Sequence, residues 1–382
     1  MPSALRLVGT PSRDRLQLWV PLNVQINQHD SAESALLAQA NLVKLTDDIQ
    51  GTLAPSTHES YGTSLFAFHA FCNSNNIPED QRAPASLTFI SLFVSSMVGL
   101  YAGSTTQNYV YAVWAWHIIH RMCWQVNTEE LDALLKSVEK SAPAASKQEK
   151  QDTFMVNYIL KIRGALDMSN LLHIATYALK RACLTTTFYM TAQLGKFVLK
   201  SLECFDPATH VKPSDVQVET DRQGLRTTVF HLPATKVLPV AGKDAMWATQ
   251  SNATDLEQAL EEHLCTNAPP ADGLLFTYRH MFWGKKATHR LLTCRRFLEV
   301  IGAAAAATGL MPLKGHGIRI GSTLEYLLQG MPFKAMKTKG CWESDAFLRY
   351  LHQHAQILAP YIQANLAQHK EFIHVVMLPV CH

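Results

Sequence analysis

The sequence of 382 residues is 47% hydrophobic and 17% charged, which allows about two domains of roughly 150 residues and excludes a largely disordered chain. Its eight cysteines form no C-x-x-C pair, so a small disulfide scaffold is excluded and an intracellular, reducing environment is predicted. The net charge is +3, but it is unevenly distributed: residues 1–140 carry 8 basic and 12 acidic side chains, whereas residues 141–382 carry 26 basic and 19 acidic side chains. The excess of basic residues in the second half is compatible with a polyanionic partner.

The first part of the chain predicts an arm followed by a helical domain. Residues 1–50 mix Pro, Asn, Gln and Asp and are expected to form a loosely ordered arm. From Ser56, apolar residues recur at helical spacing and four helices are predicted up to Val138, so residues 51–140 should form one compact domain. Residues 141–152 are small and polar with one proline, which is typical of a linker.

The longest stretch without Asp, Glu, Lys or Arg runs from Ala83 to His120. Serines, threonines and two glycines interrupt it, so it holds no apolar block of the roughly 18 residues that a bilayer-spanning helix requires. The stretch therefore predicts two buried helices, and no membrane partner is expected.

The second domain is predicted to be helical with a small β-hairpin. Helices are expected at Met155–Ala165 and Leu171–Leu199, and again at Thr254–Leu264 and His289–Thr308. Between Ser214 and Pro233 the apolar pattern changes to a period of two around a turn-rich segment, which indicates a hairpin.

Two groups of residues in this pattern are candidates for chemistry. His117, His120 and Cys123 rotate off a common helical face, so packed histidines are favoured over a metal site. His316 and Arg319 lie three apart at the entry to a helix that is predicted to run to Gly330. An imidazole, a guanidinium and a helix amino terminus together suit an anion such as phosphate.

The order of several residues strengthens this interpretation: Lys236 follows the hairpin, and then come His316, Arg319, Trp342 and Tyr350. With the segment Gly340-Cys-Trp-Glu-Ser-Asp-Ala-Phe-Leu-Arg-Tyr350, this order resembles the tyrosine recombinases, the phage-integrase-like DNA strand-transfer enzymes, and particularly those carried by fungal mobile elements. The resemblance extends over residues 52–365.

The resemblance implies a mainly α-helical protein with a small β-hairpin or sheet, built as a two-domain clamp. Residues 51–140 would form a core-binding (SAM-like) DNA-binding domain, residues 153–370 the catalytic domain, and residues 371–382 an apolar tail that packs in cis or onto a neighbouring protomer. Double-stranded DNA is the implied partner, with a possible homo-oligomer assembled on it in the nucleus. No cofactor and no metal are implied.

Each matching residue receives a role from the resemblance. Tyr350 would attack a DNA phosphodiester and form a 3′-phosphotyrosyl ester, while Lys236 would protonate the leaving 5′ oxygen. His316 would serve in acid–base steps, and Arg319 and Trp342 would contact the same phosphate. The chemistry is consistent with these roles, because a phenol with a pKa of about 10 is a poor nucleophile unless neighbouring cations stabilise the phenolate.

The sequence departs from the family at the first catalytic arginine. The matching stretch is Ala192-Gln-Leu-Gly-Lys196, so Gln193 replaces the arginine and Lys196 replaces the acidic residue that follows it. A glutamine donates a neutral hydrogen bond but cannot neutralise a phosphate oxygen. Strand cleavage is therefore predicted to be impaired, and a catalytically dead DNA-binding relic is the alternative.

Other interpretations remain open at this stage. Arg295, Arg296 and Lys196 are candidates for contacts to DNA, and the two arginines alternatively form a solvated helix face. Tyr350 is alternatively a core tyrosine, and Lys236 a solvated lysine. A helical interaction protein with chance matches to the motif is a third possibility for the whole chain.

Overall fold

The computed structural model describes residues 5–7, 9–27, 39–146, 154–165, 171–235, 238–250, 254, 256–280, 288–312, 314–342, 348, 357 and 359. The chain divides into two compact units, residues 1–149 and 150–382. Both are built mainly from α-helices, and the second also contains small antiparallel sheets. The predicted mainly helical fold with a small hairpin or sheet is confirmed.

Unit 1 is helical throughout the part that the structure describes. Side-chain caps fix the start of two of its helices: Ser86 accepts the N–H of Phe89, and Asn127 accepts the N–H of Glu129. The helices are α1 (Ser12–Leu18), α2 (Leu22–Asn27), α3 (Gln39–Gln50), α4 (Pro55–Ser74), α5 (Leu87–Ser95), α6 (Gly103–Ile119) and α7 (Thr128–Lys140).

Residues from the predicted loose arm belong to the core of unit 1. Leu16 and Trp19 are buried beside Phe68 and Trp116, and the indole N–H of Trp116 donates to the carbonyl of Trp19 at 2.6 Å. This differs from the loosely ordered arm expected for residues 1–50. Pro11 and Pro21 precede helices of only seven and six residues, α1 and α2, which are too short to show a helical period.

His117 is buried in α6, and His120, which follows the last residue of α6, is partly buried, so both are packed as their helical setting predicts. His117 accepts the N–H of Ala85 at 2.8 Å and donates to the carbonyl of Val113 at 2.7 Å. His120 contacts the carbonyl of Leu16 at 2.9 Å. Burial lowers the pKa of both imidazoles to about 4, so both are neutral and hold neighbouring backbone segments together.

None of the described helices is long and apolar enough to cross a membrane.

Unit 2 combines helices with two antiparallel sheets. Its core contains fully buried aromatic rings from many elements, including Phe188, Phe197, Phe230, Phe276 and Phe297. The elements are α8 (Val156–Ala165), α9 (Leu171–Tyr189), β1 (Val216–Thr220), β2 (Arg226–Leu232), β3 (Lys243–Ala248), α10 (Leu256–Asn267), β4 (Thr277–His280), β5 (Thr288–Leu291), α11 (Cys294–Ala307), α12 (Gly315–Leu328) and α13 (Phe333–Lys339).

The predicted hairpin is confirmed as β1 and β2, which pair from Val216 opposite Phe230 to Thr220 opposite Arg226. The carboxylate of Asp221 closes the turn, because it accepts the N–H groups of Gln223 and Leu225 at 2.8 Å each. β3 extends this hairpin to a three-stranded sheet in the order β1-β2-β3.

Two helix predictions in unit 2 are wrong at one end. The helix expected at Leu171–Leu199 ends at Tyr189, because Thr191 has a left-handed backbone with φ of 55°. The helix expected at His289–Thr308 begins only at Cys294, because residues 288–291 pair with β4 as strand β5. The pairing between β4 and β5 overrides the local helical pattern there.

Helix α12 lies directly against the backbone of Phe154, and Gly321 permits this approach. A Cβ atom at position 321 would be 1.7 Å from the carbonyl oxygen of Phe154. We therefore expect Gly321→Ala to lower the free energy of unfolding by about 1–3 kcal/mol, because the helix must shift in a close-packed core.

Denaturant unfolding tests this prediction, with Gly302→Ala in α11 as the matched control. A Cβ at position 302 has its nearest neighbour at 3.6 Å, so this variant should match or exceed wild-type stability, because alanine favours a helix over glycine. Equal stability of the two variants would contradict the close approach of α12 to Phe154.

Candidate active site

A solvent-open cleft of about 490 Å³ brings together residues from separate parts of unit 2. It lies between the turn after α9, the end of β2, helix α12 and the end of α13. Among the cleft-lining residues that the structure describes, none is Asp or Glu, and three are cations. The polar and charged residues at the cleft include Gln193, Lys196, Thr235, Arg319 and Lys339.

The turn after α9 supplies the first side of the cleft. Gln193 is exposed at the start of a short 3-10 turn, Leu194–Lys196, and its side chain makes no capping hydrogen bond. The Nζ of Lys196 donates to the carbonyl of Ala234 at 2.6 Å, and partial burial lowers the pKa of Lys196. Gln193 and Lys196, the two positions at which the family resemblance implies substitutions, thus both line one cleft.

Buried hydroxyl groups hold this turn against α12. Thr191 Oγ1 and Ser322 Oγ are 2.7 Å apart, and the hydroxyl of Tyr326 donates to the carbonyl of Tyr189 at 2.9 Å. Since these bonds join residues more than 100 positions apart in the chain, they fix the end of α9 relative to the helix that carries Arg319.

Arg319 is buried on α12 and contacts the turn that follows α13. Its guanidinium donates to the carbonyl of Gly340, and its Cζ lies 4.3 Å from the centre of the Trp342 ring. This is a cation–π contact, and it links two residues that the sequence analysis assigned to one phosphate. A Cβ on Gly340 would be 1.7 Å from the Trp342 ring, so glycine permits the ring to lie against the backbone.

Two residues at the cleft have a left-handed backbone without being glycine. Thr191 and Cys341 both have φ of 55°, in the region that non-glycine residues seldom occupy. Such conformations cost of order 1–3 kcal/mol each. Thr191 and Cys341 both line the cleft, and they lie two residues before Gln193 and one residue before Trp342 in the chain.

His316 lies at the exposed start of α12, one turn before Arg319. Partial burial and then the positive charge of Arg319 lower the pKa of His316 below its usual value. The imidazole is therefore mainly neutral near pH 7, which is the form that can accept a proton.

Lys339 is a cleft residue that sequence reasoning missed. Its Nζ donates to the carbonyl of Met246 at 2.8 Å and lies 4.5 Å from the centre of the Tyr326 ring. Burial lowers the pKa of Lys339 to about 8. In the sequence it is one of three lysines in α13, and spacing alone does not show which of them faces inward.

The remaining predicted residues lie elsewhere. Arg295 and Arg296 are at the exposed start of α11, where both pair with Glu299, at 2.8 and 3.6 Å. They do not line the cleft, and their contact with DNA remains a prediction. Tyr350 and Lys236 lie outside the described residues, although Thr235, which precedes Lys236, lines the cleft.

No protein-family model and no curated protein sequence matches this chain. Solved structures are similar. The XerH site-specific recombinase in a post-cleavage complex with palindromic difH substrate is 12% identical over 94% of this chain and 93% of its own, with a TM-score of 0.52. The XerH pre-cleavage complex is 13% identical over 95% and 100%, with a TM-score of 0.48. Lambda integrase bound to DNA is 14% identical over 79% and 90%, with a TM-score of 0.42.

The first of these similarities extends over nearly all of both chains, and at this low identity it establishes the fold alone. The mainly helical architecture with small antiparallel sheets agrees with it. The chain therefore has the fold of a tyrosine recombinase.

Proposed function

We propose that this protein binds double-stranded DNA and breaks and rejoins it through a 3′-phosphotyrosyl intermediate on Tyr350. The observation that carries the proposal is the cleft, in which Lys196, Arg319 and Lys339 converge without a described acidic side chain. The similarity in fold to the XerH site-specific recombinase, in its post-cleavage complex with difH substrate, supports the proposal.

The proposed reaction conserves the number of phosphoester bonds. The Tyr350 phenol gives up its proton to the neutral imidazole of His316, and its oxygen attacks phosphorus and forms the phosphotyrosyl bond while the bond from phosphorus to the 5′ oxygen breaks. The leaving 5′ oxygen takes a proton from Lys236, and a 5′ hydroxyl then reverses the step to rejoin the strand. The phosphorane-like transition state carries extra negative charge, and Arg319 is buried beside Trp342 in a position to stabilise it.

Gln193 favours a second candidate function, a DNA-binding protein with impaired or lost strand cleavage. The position is at the cleft mouth, where the family resemblance places a guanidinium, and a neutral amide stands there instead. Under this alternative the cleft still binds phosphate but accelerates the attack too little to produce rejoined DNA.

The proposal includes the biological setting implied by the segment from Gly340 to Tyr350. The protein would act on DNA of a mobile element or its descendant, in the nucleus, as a homo-oligomer assembled on its target. Localisation of the tagged full chain and sizing of the protein–DNA complex test these points separately from the chemistry.

Covalent capture on nicked suicide duplexes tests the proposed function. Wild-type protein should give a slowly formed adduct that survives a denaturing gel, and Tyr350→Phe should abolish it while leaving duplex binding intact. Binding without an adduct would support the impaired DNA-binding protein. An adduct that persists in Tyr350→Phe would remove Tyr350 from its role, and absence of any binding would exclude both functions.

A further inference from the structure

The positive charge of the cleft is not arranged as the family resemblance implies. Gln193 removes one expected guanidinium, whereas Lys339 adds an ammonium group from the end of α13. Nothing in the motif assigns a role to Lys339. It lies in the same cleft as Arg319 and Lys196, so a phosphate bound there would meet it.

Lys339 is held in place by contacts from two elements. Its Nζ lies 4.5 Å from the centre of the Tyr326 ring of α12. Its Nζ donates to the Met246 carbonyl of β3 at 2.8 Å. An ammonium group has three N–H donors, so this hydrogen bond and the ring contact leave capacity for an acceptor in the cleft.

We propose that Lys339 is a phosphate-contacting residue that supplies, from α13, part of the positive charge that Gln193 does not provide. The inference rests on the proposed function, and it adds a cation that the family motif does not contain. Its ligand is a phosphodiester of duplex DNA. Lys339 contacts the phosphate as a point charge, without the two-pronged geometry of an arginine.

The surroundings of Lys339 give the proposal a pH signature. Arg319 and Tyr326 of α12, Cys341 of the following turn and Lys196 on the other side of the cleft are the charged or titratable groups that line or face its position. Burial holds the pKa of Lys339 at about 8 in the free protein. Because only the protonated form attracts phosphate, affinity should fall as the pH rises through this value and should be fully present below it.

Duplex DNA binding tests the proposal without requiring catalysis. We expect Lys339→Gln to weaken binding about 8-fold at about 0.1 M salt, and to reduce the slope of log affinity against log salt by about one, as loss of one phosphate contact requires. Lys334→Gln is the matched control, because Lys334 is an exposed lysine of the same helix and undergoes the same change of charge. That control should leave the affinity and the slope near wild type.

Lys339→Arg provides the second measurement. The wild-type affinity should fall between about pH 7 and about pH 9, whereas Lys339→Arg should bind across this range without that fall, because arginine stays protonated. Thermal unfolding of each variant checks that the fold is retained. The wild-type pH profile needs no substitution and so remains informative even where a variant is unstable.

The outcomes separate the two proposals. Duplex binding that is unchanged in slope and pH profile by Lys339→Gln would overturn the role of Lys339 and leave the proposed function standing. A fall with pH that persists in Lys339→Arg would assign the titration to Lys196 or Cys341 and would also overturn it. Failure of wild-type protein to bind duplex DNA at about 50 mM salt would instead overturn the proposed function itself.

Discussion

Gln193→Arg should increase covalent adduct formation on a suicide duplex by about 100-fold over wild type, because a positioned donor to a transition-state oxyanion is worth about 10²–10³ in rate. The position accepts the change, since Gln193 is exposed at the start of its turn and makes no capping hydrogen bond. Arginine also has the planar, two-pronged donor geometry that matches two phosphate oxygens.

Two further substitutions separate charge from geometry. Gln193→Lys should give a smaller increase, because it adds a point charge without the fork, and Gln193→Met should give none. Tyr350→Phe combined with Gln193→Arg must give no adduct. The adduct rate is measured by denaturing gel over time, and a Gln193→Arg protein no faster than Gln193→Met would show that the missing guanidinium does not limit cleavage.

The hydrogen bond made by Lys196 limits how far substitutions at this turn can restore the motif of the family. Its Nζ already holds the carbonyl of Ala234 at 2.6 Å, so Lys196→Glu would remove that bond and place a carboxylate beside the phosphate. Combined with Gln193→Arg, Lys196→Glu restores the charge order of the family motif. We expect the double variant to be active only if the ion pair it creates compensates for the lost contact to Ala234.

Affinity for duplex DNA should fall by about 10³-fold between about 50 and about 200 mM salt, as expected for a protein that makes six or more phosphate contacts. The basic balance of residues 141–382 and the cationic cleft both predict binding through the DNA backbone. Electrophoretic shift over a salt series measures the slope, and Tyr350→Phe should give the same slope because it removes no charge.

A salt-indifferent affinity would contradict the DNA interpretation of the cleft, because phosphate contacts release counterions whenever they form. A competitor series with unrelated duplexes at each salt concentration distinguishes backbone binding from sequence recognition. The slope should be common to all duplexes, whereas differences in affinity at one salt concentration report contacts to bases.

Much of unit 2 was predictable because its signals are local. The hairpin around Asp221 has alternating apolar residues and a turn sequence, and the structure contains it as β1 and β2. A helix entered near His316 and Arg319 was also predicted, and α12 begins at Gly315. The contact between Arg319 and Trp342 was expected only through the family resemblance, since nothing in the spacing brings the two side chains together.

Most of the missed features depend on contacts between separate segments. β5 was predicted as part of a helix, but its residues pair with the neighbouring strand β4. Lys339 was missed because its inward direction depends on the carbonyl of Met246 in β3 and on the Tyr326 ring. Leu16 and Trp19 were assigned to an arm because a short helix carries too few residues for a period to appear.

The side chain of Gln193 is exposed and makes no capping hydrogen bond, and this has a consequence for which amino acids the position tolerates. Neither glutamine nor arginine needs a partner from the fold at this position, so exchange between them carries little cost in stability. A single nucleotide change also converts a glutamine codon into an arginine codon. An exchange between the two amino acids can therefore change the charge at the cleft almost independently of the stability of the fold.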